Sequence, residues 1–392
     1  MSRHRKALLV VTVTALGLAA CTGSEMGPAA TVAPAQESRA AVKFWDANAT
    51  ANWTDLATSL TARRRVDVIR MYAYLSLAQL RAAEDAEAIG PSSPTSSAIG
   101  AASASVLSAF FPADVAEIEA ALAAQLAAEP WPGAKHEDAS VGTPLGRAAA
   151  ARVLAFSTSD LVGLTDPGTP PTTPGHWLWN GGPIARGMLG ARPFFLASRD
   201  EFRPGPPPTF GSPEYLAALA EVRRISDTRT PEQLAIAQAW NAGQGPNSNA
   251  LVQNIAVELL RTHRRSDVES ARILFRMDAA VFDALIGCFD AKYTYWFIRP
   301  PQADPLITLP IGLPPHPSYP SAHSCVSGAA SGVLMAAFPE ERDRLEAVAL
   351  EASLSRLYAG IHYRFDMVAG LALGRNVADK AMSADLDAVA VK

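Results

Sequence analysis

The chain has 392 residues, 49% of them hydrophobic and 18% charged, which is ample material for a buried core. A formal charge of −4, with no clustered basic face, excludes a nucleic-acid surface. Three cysteines without any Cys/His spacing exclude a structural zinc site.

The first twenty residues read as a processing segment. Arg3, Arg5 and Lys6 form a positive region ahead of an apolar run, Ala7–Ala20, that is too short to span a bilayer. The run ends Leu18-Ala19-Ala20-Cys21, which resembles the bacterial lipoprotein cleavage box and would make Cys21 the lipid-bearing first residue. Cleavage there removes three cations and takes the formal charge from −4 to −7. The product expected is an exported lipoprotein, anchored to the membrane through lipid on the periplasmic or extracytoplasmic side. No other stretch approaches ~20 uninterrupted apolar residues. Residues 21–40, rich in Gly, Pro, Ala and Ser, read as a disordered tether.

Helical patterning begins at Ala41 and continues to the C-terminus, so residues 41–392 are expected to form a single helical domain. Trp53, Leu56 and Leu60 follow an Asn/Asp-rich break. Arg63–Glu87 reads as one long helix, stopped before Gly90-Pro91. Alanine-rich segments at Ala98–Phe111, Ala113–Glu129 and Arg147–Ser157 suit closely approaching helices. Residues 166–211 interrupt the pattern. This segment is rich in proline and carries Trp177, Trp179, Phe194, Phe195, Phe202 and Phe210, so it reads as an ordered excursion over the scaffold. Ser212-Pro213-Glu214 and Thr230-Pro231-Glu232-Gln233 then start helices over Glu214–Ile225 and Glu232–Ala242. Leu251–Thr262 and Val268–Phe289 follow. No period-2 apolar run of useful length occurs, and the expected fold class is all-α, a multi-helix bundle.

Three clusters between residues 292 and 366 carry the chemistry. In the first, Lys292 and Arg299 lie seven apart, which on a continuous helix puts both cations on one face, and Pro300 ends the segment. The second is His316-Pro317-Ser318-Tyr319-Pro320-Ser321-Ala322-His323, a proline-stiffened stretch leading into a small-residue helix. Ser321 is a plausible cap there, and the amides of Ala322 and His323 would face outward as anion donors. In the third, Arg356 adds a cation, and His362 has Asp366 four residues on. A carboxylate on one imidazole nitrogen fixes the tautomer and frees the other nitrogen. Taken singly, each cluster also reads as surface charge or as a loop capping a core helix.

Taken in order, Lys-x6-Arg-Pro, Pro-Ser-Ala-His and Ser-Arg-x5-His-x3-Asp resemble the signature of the type 2 phosphatidic acid phosphatase and vanadium-dependent haloperoxidase superfamily. One position departs, Ala322 standing where the family usually has glycine. The resemblance implies that Lys292, Arg299 and Arg356 hold the oxygens of phosphate or vanadate, with hydrogen bonds from Ser321 and the Ala322 amide. It implies His323 as general acid/base, His362 as nucleophile or vanadium-bonded residue, and Asp366 as its orienting partner.

The long region ahead of Lys292 is similar to the bacterial haloperoxidase branch, through Arg192-Pro193-Phe194, Phe202-Arg203-Pro204-Gly205-Pro206-Pro207, Arg229-Thr230-Pro231-Glu232-Gln233 and Asp290-Ala291-Lys292-Tyr293. His316 stands where bromoperoxidases have a histidine on the halide side of the vanadate pocket. Phe289 stands where those enzymes usually have tryptophan. The expected activity is therefore vanadate-dependent oxidation of halide, of the bromide type, by hydrogen peroxide, with Lys292 polarising the bound peroxide. The alternatives are an acid phosphatase acting on phosphate monoesters or lipid phosphates through a phosphohistidine, and a non-catalytic oxyanion-binding lipoprotein. Cys288 and Cys325 are left open as either one disulfide or two buried thiols.

Overall fold

The computed structural model describes residues 48–389, apart from 65, 91–92, 129–137, 161, 163–164, 183 and 242–246. The expected signal segment, Cys21 and the tether lie outside the described residues. Thirteen α-helices are described: α1 (Ala49–Arg63), α2 (Val68–Glu87), α3 (Thr95–Phe110), α4 (Val115–Ala127), α5 (Ala139–Ser157), α6 (Pro213–Thr228), α7 (Pro231–Ala239), α8 (Asn247–Thr262), α9 (Asp267–Tyr295), α10 (Pro300–Ala303), α11 (Ala322–Ala337), α12 (Arg342–Tyr358) and α13 (Arg364–Ser383). Among the described residues the only β pairing is an isolated bridge between His176 and Phe297. The fold is all-α, as expected.

Several starts follow from local capping. Ser266 and Glu269 close a capping box at the head of α9, and Thr230 and Gln233 do the same for α7. Two expected boundaries are corrected. The long helix expected over Arg63–Glu87 starts later, at Val68, because Arg63 ends α1 and the Asp67 side chain accepts the Arg70 amide to start α2. The helix expected from Arg147 begins eight residues earlier, where Asp138 caps Ser140, and it carries Pro144 internally at the loss of one backbone bond.

The 29-residue α9, about 43 Å long at 1.5 Å per residue, is the axis of the molecule; α2, α11 and α13 pack on it. Most of its residues from Leu274 to Tyr293 are buried. α11 and α13 approach so closely that a Cβ added at Gly374 would meet the Cys325 carbonyl oxygen at 2.3 Å, and one at Gly370 the Ser321 oxygen at 2.7 Å. Glycine is needed here for proximity, and it presses the start of α11 against α13.

Residues 166–211 contain no helix among those described, and they are tied down from α9. The buried Asp283 carboxylate accepts the amides of Phe194, Phe195 and Leu196 at 2.9, 2.7 and 3.0 Å. Two turns on, Asp290 pairs with Arg203 at 2.6 Å and Arg199 at 3.1 Å. Phe194 sits among Tyr74, Phe156, Phe275 and Phe282, with ring centroids 5.2–6.2 Å apart. The excursion is thus ordered, although the expected burial holds only in part. Trp177 and Phe195 are buried, whereas Trp179 and Phe210 remain about half exposed, at 50% and 41%.

Candidate oxyanion site

The three clusters converge. α9 stops at Tyr295 because Trp296 turns left-handed, φ 49°, and stacks on Trp177 at 6.3 Å. This corrects the expectation of one helix carrying both cations: Lys292 lies in the last turn of α9, whereas Arg299 lies beyond it, ahead of Pro300. The reversal, held by Trp177 N–H to the Trp296 carbonyl at 2.6 Å and Ile298 N–H to Gly175 at 3.0 Å, leaves Arg299 in the same buried neighbourhood as Lys292. His362 and Asp366 likewise share no helical face. His362 lies before α13 and Asp366 in its first turn, yet Nδ1 and Oδ2 are 2.7 Å apart.

Lys292, Arg299, Arg356, His362 and Asp366 are all buried, at 0–3% exposure. Lys292 Nζ donates to the carbonyls of Pro317 at 3.0 Å, Ser318 at 2.9 Å and Pro320. Arg299 donates to the carbonyls of His316 (2.9 Å), Ile361 (2.7 Å) and Pro317 (3.3 Å), and reaches His362 Nε2 at 3.3 Å and His316 Nδ1 at 3.0 Å. Arg356 uses Nε on Ser355 Oγ and Nη2 on the Ala237 carbonyl. His323 Nε2 meets the Trp240 carbonyl at 3.1 Å. Ser321 caps α11 through the Ser324 amide at 3.4 Å, and its own amide bonds the Asp366 carbonyl at 3.0 Å. Ala322, first residue of α11, is not among the positive-φ positions, so alanine is accommodated there without strain. Its amide and that of His323 lie in the first turn, where helical geometry provides no partner. His316 meets Phe289 edge to face at 5.4 Å, and a Cβ at Gly187 would strike the Phe289 ring at 2.4 Å. Every site residue expected from the sequence within the described region falls in or beside this cluster.

Ser318 is the contributor that sequence reasoning missed. Its hydroxyl donates to Asp366 Oδ2 at 2.6 Å, beside the Tyr363 amide at 3.2 Å, and so fixes the carboxylate that holds His362. It stands inside the proline-stiffened stretch, but no spacing rule separates it from its neighbours there. The carbonyls of Ala237 and Trp240 were equally illegible, because backbone acceptors carry no residue signature.

Three cations face one carboxylate in a buried site. Burial pushes Lys292 down to about 8, and Arg299 and Arg356 each down to about 10. Burial, with Arg356 next, takes His323 down to about 3; burial, with Arg299 and Lys292, takes His362 well below its usual value. Burial raises Asp366 to about 6 although the Ser318 bond opposes it. A neutral His362 that donates Nδ1–H to Asp366 presents its Nε2 lone pair as an acceptor, 3.3 Å from Arg299 Nη1. Buried charge without a counter-charge is unfavourable, and a tetrahedral oxyanion supplies the missing charge. The residues therefore fit vanadate or phosphate, although Lys292 and Arg299 currently spend their N–H groups on carbonyls and histidines.

Residues 278–381 match the PAP2 superfamily, and this segment holds all three cations with His323, His362 and Asp366. Among solved structures, the chain is similar to a bacterial vanadium-dependent iodoperoxidase, at 22% identity and a TM-score of 0.67 over 88% of this chain and 95% of that one. It is also similar to a bacterial vanadium-dependent chloroperoxidase in apo form (13%, 0.64, 80% and 92%) and in holo form (14%, 0.61, 80% and 89%). The chain thus shares the all-α fold of these enzymes. No curated protein sequence matches it.

Proposed function

We propose that the protein is a vanadate-dependent haloperoxidase-like enzyme that oxidises halide, of the bromide type, with hydrogen peroxide. The observation that carries this reading is the excess of buried cationic charge around His362, whose Nδ1 is held by Asp366 and whose Nε2 faces Arg299. Lys292, Arg299 and Arg356 would hold the oxyanion, with the Ser321 hydroxyl and the Ala322 amide. His362 would hold the metal through Nε2 while Asp366 and Ser318 fix its ring. Vanadate bound there supplies a Lewis acid that activates peroxide without changing its own oxidation state. His323, neutral and half-buried at the head of α11, would move the proton at Nε2 or Nδ1. His316 and Phe289, in edge-to-face contact, would line the halide side. The test is bromination of a phenol indicator with hydrogen peroxide: turnover only after vanadate loading supports the reading, and no turnover after full loading removes it.

A second reading, an acid phosphatase, is favoured by the PAP2 match over 278–381. There His362 Nε2 attacks phosphorus, His323 protonates the leaving oxygen and water hydrolyses the phosphohistidine, with the cations bearing the developing charge. Vanadate-inhibited hydrolysis of an aryl phosphate at acidic pH would promote this reading. We also propose export and lipidation at Cys21, supported by the Leu18-Ala19-Ala20-Cys21 box; mass spectrometry of the mature N-terminus tests it, and an unlipidated Cys21 removes it.

A further inference from the structure

The end of α7 meets the site with two backbone carbonyls. Carbonyls at a helix end have no partner within the helix. Here the Ala237 oxygen accepts from Arg356 Nη2 at 3.1 Å, and the Trp240 oxygen accepts from His323 Nε2 at 3.1 Å. α7 is seated at three points. Just before its start, Arg229 donates to the carbonyls of Tyr358 at 2.7 Å and Thr308 at 3.0 Å. Near its end, Ala237 packs with Ala359 and Ile361. At the end itself, the buried Trp240 donates its indole N–H to Glu351 Oε1 at 3.0 Å. Glu351 stands on α12 with Arg356, so one helix supplies both a cation of the site and the carboxylate that holds the end of α7.

We infer that Glu351 is a positioning residue for His323: through the Trp240 indole it holds the carbonyl that keeps the His323 proton on Nε2, which leaves Nδ1 to exchange a proton with the substrate. The inference rests on the proposed function for the acid/base role of His323, which is the same in the haloperoxidase and phosphatase readings. A carbonyl oxygen only accepts, so the ring nitrogen facing it carries hydrogen. In a neutral imidazole the other nitrogen then holds the lone pair. When Nδ1 takes a proton from a reacting oxygen, the resulting cation keeps its Nε2–H on the same carbonyl. When Nδ1 returns that proton, the neutral ring keeps the same orientation. Neither step requires the ring to turn or to change tautomer.

Local structure explains why an outside anchor matters. His323 is the second residue of α11 and half-buried, and the Trp240 carbonyl fixes its ring from a different element. Trp240 follows the last residue of α7, so its amide still bonds the Ile236 carbonyl at 3.1 Å, whereas its own carbonyl lies past the helical ladder. The orientation of that carbonyl therefore depends on where the indole is held. A buried indole N–H needs a partner, and Glu351 supplies one from α12, which packs against α7. Glu351 lies outside all three sequence clusters, so nothing in the spacing of the motifs points to it.

The test uses the full chain. Glu351→Ala removes the acceptor at an exposed position, Glu351→Gln keeps an oxygen that can accept from the indole, and Trp240→Phe removes the indole N–H. Turnover is read in whichever of the bromination and aryl phosphate assays the wild-type chain performs. Glu351→Ala should lower kcat by about tenfold and leave orthovanadate affinity unchanged, and Glu351→Gln should recover the rate. Adding Glu351→Ala to Trp240→Phe should cost nothing further, since both changes break one bond. Nitrogen-15 spectra of the histidine rings, with His323→Gln to assign the signal, should show Nε2–H as the single neutral tautomer in the wild type and a mixture in Glu351→Ala. A full rate in Glu351→Ala, an equal loss in Glu351→Gln, a loss that lies in orthovanadate affinity instead of kcat, or a wild-type His323 protonated at Nδ1 overturns the inference. A wild-type chain that performs neither reaction would instead remove the proposed function. The spectra still decide the positioning in that case, and a His323 signal unchanged in Glu351→Ala overturns it.

Discussion

The helix α9 faces two regions with opposite charge accounts. Toward the 166–211 excursion it presents acids, and every one has its partner: Asp283 accepts three amides, and Asp290 takes two arginines. Toward the clustered histidines it presents Lys292, which joins Arg299 and Arg356 against the single carboxylate of Asp366. The acids on the scaffold face are thus satisfied by amides and arginines, whereas the other face carries an excess of buried cations. Charge distinguishes the two regions: on the scaffold side Asp290 meets the arginines Arg199 and Arg203, whereas on the other side three buried cations gather about one carboxylate.

Substitutions can sharpen this contrast. The largest effect is expected from His362→Ala, which removes the one nucleophilic or ligating nitrogen. Activity in either assay should fall by about a thousandfold or more while circular dichroism stays that of the folded chain; a variant that keeps its full rate would discard the assigned role. Lys292→Met should weaken orthovanadate binding by about a hundredfold, and unchanged affinity would remove Lys292 from the site. Asp283→Ala belongs to the other face. It strands three amides and should lower unfolding free energy by about 3 kcal/mol in chemical denaturation, with the vanadate stoichiometry of the folded protein intact. Loss of binding without loss of stability would erase the distinction between the faces.

Lys292 also connects charge to pH. Its folded value is lowered to about 8 from 10.5, so between those values the unfolded chain binds more protons than the folded one. Stability of the anion-free protein should therefore rise as pH increases from about 8 toward 10.5, with the penalty of burying the ammonium fully present below 8. Oxyanion affinity should move the other way and fall above about 8 as the ammonium is lost. Parallel denaturation and orthovanadate titrations across this window check both signs. The smallest effect is expected at the rim: His316→Ala should reduce bromide oxidation by about tenfold and leave aryl phosphate hydrolysis nearly unchanged.

The all-α class and most helices were legible because capping signals and apolar periodicity are local. The site residues were legible because their order along the chain is distinctive. What misled was geometry imposed by tertiary contacts. Trp296 adopts its left-handed turn against Trp177, more than a hundred residues away, so the spacing of Lys292 and Arg299 wrongly suggested one helix face. His362 and Asp366 meet across a helix start, where an i,i+4 rule gives the right pair for the wrong reason. Ser318 has no role that sequence alone assigns, since only the folded position of Asp366 gives it one.

The stretch from His316 to His323 gains definition accordingly. Its carbonyls at Pro317, Ser318 and Pro320 hold Lys292, so the loop supports the cation directly. The central claim is that the excess buried charge around His362 is an oxyanion site. Equilibrium titration of the full chain with orthovanadate tests it most directly. The account predicts saturable binding at one site per chain, displaced by phosphate and lost in Lys292→Met; absence of saturable binding, or binding unaffected by Lys292→Met, would contradict it.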